Sequence, residues 1–218
     1  TYLLNMSPRC VLFIDEIHRL PKLVEEFLYP VMEDFKATMI FGSDPEEVDI
    51  PKFTLVGATT SGGSLSQPFY DRFTVKEHLK FYSVNELAEL ARLNLAKWNI
   101  NPPDSHIEGV AKRSKGTPRI LNSRLEWYKN YISMYPECNS VDEMFQIQGI
   151  DDKGLDESDR KYLNTLKKNL GNPLGIKSLS SMTGISMDTI QNSIEPFLCR
   201  MGYIVRTQKG RALGKYND

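Results

Sequence analysis

Short unbroken apolar runs alternate along this chain with longer stretches in which apolar residues recur every third or fourth position. The first run, VLFI at 11–14, has the pattern of a strand buried on both faces of a parallel sheet. It stops at two adjacent acids, Asp15 and Glu16. The following PKLVEEFLYPVMEDF carries Leu23, Val24, Phe27, Leu28, Val31 and Met32 at helical spacing, with Pro21 suited to the first turn and Pro30 expected to kink the middle. MIFGSDPEEVDI sets a Gly-Ser-Asp-Pro turn between apolar flanks and predicts a hairpin whose Met39, Ile40 and Phe41 are open to solvent. FTLVGA, from Phe53 to Ala58, predicts a second buried strand running into Thr59, Thr60 and the loop SGGS.

The pattern changes at Phe81-Tyr82. Ser83-x-x-Glu86 and Ser105-x-x-Glu108 have capping-box spacing, and Thr117-Pro118 sets a cap beside a proline at the first helical position. Three bundled helices follow, at about 84–98, 105–115 and 118–134. The acidic, Gly-containing IDDKGLDESD predicts a linker at about 150–158. Beyond it, YLNTLKKNL reads as a helix, and IKSLSSMTGISMDTIQNSIEPFL reads as helix, tight turn at Gly184 and second helix. GYIVRTQKGRAL alternates apolar and basic residues around Lys209-Gly210, a two-stranded wing. Helix-turn-helix plus hairpin is a winged-helix module.

Bulk properties narrow the classes. With 218 residues the chain is long enough for a real core, and a formal charge of −1 announces neither nucleic acid nor an anionic membrane, so any such surface is local. Three distant cysteines, Cys10, Cys138 and Cys199, argue against a disulfide framework or a thiolate zinc site and fit a reducing cytoplasm. No apolar run approaches the roughly 20 residues of a membrane span. The opening TYLLNM reads as part of a helix already under way, so the chain is expected to be a fragment.

Acids at the end of a buried strand stand where ligands bind in open α/β sheets. Asp15 there suits a hydrated Mg²⁺, and Glu16 suits orientation and deprotonation of an attacking water. The alternative is that Asp15 only caps the next helix. Thr60 offers a hydroxyl beside a terminal phosphate, and Arg72, in Asp71-Arg72-Phe73, offers a cation. GATTSGGS, 57–64, fits the phosphate-loop pattern except that Gly63 replaces the required lysine. The motif occurs nowhere else, so a phosphate loop is expected upstream of Thr1 and little or no ATP hydrolysis from the chain alone. His18 belongs to DEIHRL, while His78 and His106 lack ligand spacing and read as surface or edge residues.

DEIHRL, VEEFLYPVMEDF, FTLVGATTSGGSLS, DRF, KFY and GTPRI, in that order, resemble the bacterial RuvB family of Holliday-junction branch-migration motors, of the AAA+ ATPase class. The match runs almost without gaps from Thr1 into the wing. The resemblance implies an α/β fold in three parts: a partial AAA+ parallel-sheet core over 1–82, a helical lid over 83–150 and a winged-helix DNA-binding domain over 151–218. It implies an ATP-dependent DNA motor in recombination and repair, with ATP or ADP and Mg²⁺ as cofactors. Its partners would be four-way junction arms, a RuvA-type protein and copies of itself in a hexameric ring.

Residue by residue, Asp15 and Glu16 match the Walker B acids, with Asp15 holding Mg²⁺ through water, and Thr60 matches the sensor threonine. Arg72 matches the arginine finger lent to a neighbouring subunit's nucleotide. Glu33, Asp34 and Phe35 match a nucleotide-touching segment, Tyr82 an aromatic at the adenine pocket, and Arg119, in GTPRI, the second sensor. For the last the local chemistry agrees: a cation in the first turn of a helix opposes the helix dipole and is best explained by an anionic ligand.

The second helix of the helix-turn-helix, MDTIQNSIE, has no Lys or Arg, which suits it poorly to base reading. Arg200, Arg206, Lys209, Arg211 and Lys215 instead fall in an acid-free stretch, suited to sequence-independent phosphate contact. Arg211 matches the family's DNA-contacting arginine. Tyr70 stands where the family usually has Arg, Thr74 replaces a Gly, and Tyr216 replaces a second DNA-binding arginine, with Lys215 as substitute. The hairpin after Phe35, where the family docks RuvA, is shorter than usual. Two other readings remain: a DNA-binding module without catalysis, and a clamp-loader-like AAA+ subunit, against which the winged-helix ending speaks.

Overall fold

The computed structural model describes residues 3–41, 44–138, 140–169 and 172–215, without the side chain of Phe41. Thr1 and Tyr2, the expected Gly42-Ser43 turn and Tyr216 lie outside the described residues. The chain divides into two compact units, Thr1–Leu79 and Lys80–Asp218.

In the first unit β1 (Val11–Ile14), α1 (Lys22–Glu33), β2 (Lys36–Phe41), β3 (Asp44–Asp49), β4 (Thr54–Gly57) and the short α2 (Gln67–Asp71) follow in order. β1 and β4 pair in parallel, from Val11 opposite Thr54 to Ile14 opposite Gly57. The strand expected to be buried on both faces is covered on one: Val11 is 64% and Phe13 59% exposed, while Ile14 packs with Ile17, Leu28 and Phe69. Val11 and Phe13 share one face of the strand, and neither joins a core cluster among the described residues; β4, also expected to be buried, likewise leaves Val56 40% exposed. β2 and β3 form the expected antiparallel hairpin, with Ile40 exposed and Met39, against expectation, half-buried. Leu3–Asn5, expected to continue a helix, makes one 3-10 turn. Pro30 lies inside α1, whose last turn closes with the Asp34 amide donating to the Pro30 carbonyl at 2.9 Å.

The second unit opens with α3 (Val84–Ala96), α4 (Asp104–Lys112), α5 (Pro118–Met134) and α6 (Asp142–Ile147). Their shared core includes Leu87, Leu95, Leu121, Leu125, Met144 and Phe145. The Ser83 box forms as expected: the Ser83 amide donates to Glu86 Oε2 at 2.7 Å and the Glu86 amide to Ser83 Oγ at 3.2 Å. The box expected at Ser105 does not form, because Pro103 takes the cap position and α4 begins at Asp104, which places Ser105 inside the first turn. Thr117 occupies the cap of α5 but makes no side-chain cap bond. His106, expected at the surface, is buried and its Nδ1 lies 2.8 Å from the hydroxyl of Tyr128.

α7 (Glu157–Lys168), α8 (Ile176–Thr183), α9 (Met187–Thr189), a π turn over Ile190–Ile194, α10 (Glu195–Arg200), β5 (Ile204–Thr207) and β6 (Gly210–Leu213) complete the chain. Gly184 ends α8 in the left-handed region, φ 68°, giving the tight turn of the helix-turn-helix. Leu174 adds an antiparallel bridge to Arg211, so that β6 has neighbours on both sides. Tyr162, Leu166, Leu179, Ile190, Leu198 and Ile204 form the core.

The stretch expected to be a linker is built into this unit. Asp156 and Asp159 form a reciprocal capping box on α7, and both carboxylates bind Nζ of Lys115, which is 7% exposed. Arg113 Nε donates to the Asp151 carbonyl at 3.2 Å, and Arg200 Nη2 donates to the Lys115 carbonyl at 3.0 Å. Asp156 and Asp159 are therefore partners of a buried cation, while Asp152 and Glu157 stay exposed.

Candidate functional site

The parallel ladder of β1 and β4 carries both carboxyl ends to one edge, and hydrogen bonds extend it past the strands. The Ala58 amide donates to the Ile14 carbonyl and the Ile17 amide to the Ala58 carbonyl, each at 2.9 Å. Asp15 and Glu16 are thus fixed beside Thr59 and Thr60. Glu16 adopts left-handed backbone, φ 48° and ψ 47°, a strained conformation for a residue with a Cβ. Its carboxylate accepts from Thr60 Oγ1 at 3.0 and 3.2 Å and from the Thr60 amide at 3.3 Å. These bonds favour the ionised form and hold the Glu16 carboxyl below its ordinary range.

His18 joins the group: its Nδ1 lies 2.8 Å from Thr59 Oγ1 and 3.2 Å from Glu16 Oε2. Sequence reasoning gave His18 no role, and the only signal was its position two residues past Glu16, where a single helical turn brings it back to the strand end. Asp15 is exposed, and its Oδ1 accepts the Glu16 amide at 2.9 Å. A carboxylate, a hydroxyl and an imidazole converge here on one solvent-facing edge.

Arg72, at the end of α2, is engaged within its own unit. Its Nη2 lies 3.0 Å from Glu33 Oε1, its Nη1 donates to the Pro68 carbonyl at 2.8 Å, and its guanidinium stacks 4.3 Å from the Tyr29 ring centroid. Glu33 is thereby committed to Arg72. Asp34 is exposed at the end of α1, and Phe35, with φ 55°, turns its ring edge-on to Phe53 at 6.1 Å. These three neighbours in sequence diverge in direction, and the structure does not gather them around Glu16. Tyr70 stacks on Lys76, 4.6 Å from ring centroid to Nζ.

In the second unit Tyr82 is 45% exposed and its amide donates to the Gly116 carbonyl at 3.0 Å. Arg119 is exposed in the first turn of α5, just past that turn. On the wing Lys209 and Lys215 are exposed. Arg206 and Arg211 both bind Glu195, whose side chain is 0% exposed. Glu195 was not singled out by sequence reasoning, although it is the only acid between Asp188 and the end of the wing.

Among the described residues no cluster of three or more His, Cys, Asp or Glu could hold a metal ion, and no helix is long and apolar enough to cross a membrane. The cysteines are free thiols.

Residues 1–79 match the family described as Holliday junction DNA helicase RuvB P-loop domain, and residues 152–216 match the RuvB C-terminal winged helix domain. A Holliday junction branch migration complex subunit RuvB from Rhodopirellula baltica is 41% identical over 219 residues, covering 96% of this chain and 60% of that protein. The subunit of the same name from Helicobacter pylori is 40% identical over 217 residues, covering 96% and 65%. The solved structure of the Thermotoga maritima RuvB Holliday junction branch migration motor aligns with a TM-score of 0.85 at 37% identity, covering 98% of this chain and 70% of that one. The chain spans less than two thirds of the length of these two curated relatives. With matches at both ends and continuous similarity between them, the chain belongs to the RuvB family.

Proposed function

We propose that this chain supplies part of an ATP-dependent DNA motor subunit that drives branch migration of Holliday junctions in the cytoplasm, within a hexameric ring and beside a RuvA-type partner. The observation that carries this reading is the Glu16–Thr60 pair at the carboxyl edge of a parallel strand pair, with Thr60 Oγ1 3.0 Å from Glu16 Oε2. Glu16, kept ionised by Thr60, is the base that takes a proton from the attacking water. Thr60 orients that water and the terminal phosphate. Asp15, exposed and with an oxygen to spare, fits a hydrated Mg²⁺, which needs one carboxylate and keeps most of its waters. When bound, that ion neutralises charge on the phosphate oxygens.

Arg72 is read as the finger for a neighbouring copy, which requires exchanging Glu33 for phosphate. Its guanidinium would offset charge developing in phosphoryl transfer, an effect of about 10³-fold or more. Arg119 answers to the nucleotide from the lid, and Tyr82 lies against the base. Lys209, Lys215, Arg206 and Arg211 meet the duplex backbone, and the β2–β3 hairpin, with Ile40 76% exposed, meets the RuvA-type partner.

A second reading, DNA binding without turnover, is favoured by the wing, whose exposed Arg206, Lys209 and Lys215 can meet phosphate without any nucleotide. One experiment separates the two. Fused to the portion of the Rhodopirellula baltica relative that it does not span, this chain is expected to hydrolyse ATP and migrate a synthetic four-way junction, with turnover lost in Glu16→Gln. The chain alone is expected to bind duplex and hydrolyse nothing. A fusion that binds DNA but shows no turnover favours the second reading. Turnover that survives Glu16→Gln rejects the assignment of the base.

A further inference from the structure

We infer that His18 is the positioning residue of the water-activating pair: through a hydrogen on Nδ1 it ties Glu16 to Thr59, so that the Glu16 carboxylate is held from two sides at the strand edge. The inference rests on the reading of Glu16 as the base that activates water.

The turn that carries His18 is fixed before the ring is placed. On one side Ile17 is 1% exposed and its amide donates to the Ala58 carbonyl at 2.9 Å. On the other, the Arg19 amide donates to the Glu16 carbonyl at 2.8 Å and the Leu20 amide to the Ile17 carbonyl at 3.2 Å. A side chain on so short and pinned a turn reaches few places. The imidazole reaches the end of β4, with Nδ1 2.8 Å from Thr59 Oγ1 and 3.2 Å from Glu16 Oε2.

One nitrogen facing two oxygens decides the tautomer. An ionised carboxylate only accepts, so the contact with Glu16 is attractive only if Nδ1 carries the hydrogen. Thr59 agrees, because its Oγ1 accepts the Ser61 amide at 3.0 Å and keeps a second lone pair for the imidazole. With the hydrogen on Nε2 alone, two lone pairs would face each other at 3.2 Å. His18 is thus a donor shared between the acid and the strand end.

The tie matters because of where Glu16 sits. Its backbone is left-handed, φ 48°, and a residue with a Cβ keeps that conformation only where its surroundings over-determine it. Among the described residues the other bonds to its carboxylate come from the amide and the hydroxyl of Thr60. Without His18 the carboxylate hangs from that one residue. A displacement of about 1 Å in a group that must meet a reacting water costs up to about a hundred-fold in rate.

Long-range proton–nitrogen NMR of the full chain reads which ring nitrogen of His18 carries hydrogen. His18 is one of three histidines, and its signals are those absent from His18→Leu. Hydrogen on Nδ1 is expected, and hydrogen on Nε2 alone overturns the inference. The Glu16 carboxyl-carbon signal should move in His18→Leu and return in His18→Asn, whose amide sets an N–H where Nδ1 stands. A Glu16 signal indifferent to both variants overturns it as well.

In the fusion with the Rhodopirellula baltica portion, His18→Leu is expected to lower kcat about ten- to a hundred-fold with KM for ATP unchanged, and His18→Asn to recover most of that loss. A merely structural histidine would lower thermal stability and leave kcat per folded protein alone, or would fail alike in both variants. Either result overturns the positioning role. Should His18→Leu not fold, His18→Gln decides, since its amide lies one bond farther out and leaves the place of Nδ1 empty; kcat must fall there too. A wild-type fusion without turnover rejects the ATPase reading, while the tautomer and the Glu16 signal of the chain still decide whether His18 holds Glu16.

Discussion

Nζ of Lys115 lies 3.1 Å from Oδ2 of Asp156, joining the turn before α5 to the N-cap of α7. The same ammonium binds Asp159, which is 0% exposed, and lies 5.5 Å from the Phe197 ring centroid. Burial raises the Asp159 carboxyl despite that cation. For Asp156 burial also opposes ionisation, but the Asp159 amide and Lys115 outweigh it and its pKa falls. Lys115→Met would leave both carboxylates without their hydrogen-bonded counter-charge, with only the more distant Arg124 to offset them. It is expected to destabilise the second unit by about 3–5 kcal/mol, the range for breaking a buried pair. Urea unfolding followed by tyrosine and tryptophan fluorescence measures it, and a loss within experimental error would show that the pair is a solvated contact.

Gly116 has φ 70°, and a Cβ there would run into the guanidinium of Arg200. Gly116→Ala is expected to cost about 1–3 kcal/mol from left-handed strain and collision together. In an Arg200→Ala background, which also lacks the bond to the Lys115 carbonyl, the collision is absent. The double variant should keep a residual penalty of about 1 kcal/mol for the backbone, relative to Arg200→Ala. A double-mutant cycle read by thermal unfolding checks this, and strict additivity would place Arg200 away from Gly116.

The Thr60 bonds to Glu16 predict a titration. In the wild-type chain the Glu16 carboxyl ionises below its ordinary range, and in Thr60→Val it returns toward that range. Because the folded pKa is the depressed one, its contribution to stability is complete above the unfolded pKa and is lost as pH falls through the folded pKa. The stability difference between wild type and Thr60→Val should therefore be present at neutral pH and shrink on acidification. Carboxyl-carbon NMR of Glu16 across the acid range follows the group directly.

Arg72 and Glu33 predict an asymmetry. Glu33 is the more exposed partner, at 54% against 23%, so Glu33→Gln should cost no more than about 1 kcal/mol. Arg72→Ala also removes the Tyr29 stacking and the bond to the Pro68 carbonyl, and should cost about 1–2 kcal/mol more. Denaturant midpoints of the two variants test the order. Equal losses would mean that Arg72 is held by Glu33 alone.

Local patterning made much of this molecule legible. The capping box at Ser83, the Gly184 turn and the β5–β6 hairpin follow from residues a few positions apart, and each forms. The strand-end acids were legible as a pair placed at a sheet edge, and there Glu16 meets Thr60. What failed was long-range. VLFI reads as buried, but burial of each face depends on what distant parts of the chain pack over it. IDDKGLDESD reads as a linker because its partners, Lys115 and Arg113, stand about forty residues away in sequence. His106 looked exposed because nothing local announced the hydroxyl of Tyr128. Glu195 was hidden for the same reason, since its meaning comes from the wing folding back over it.

The π turn over Ile190–Ile194 adds one residue to a helical circuit immediately before Glu195 and Pro196. Were the same residues to wind at ordinary α pitch, the extra residue would swing Glu195 by about 100° relative to α9. The acid would then turn to water, and Arg206 and Arg211 would confront each other bare. For this wing, the winding of five upstream residues matters as much as the charges it aligns.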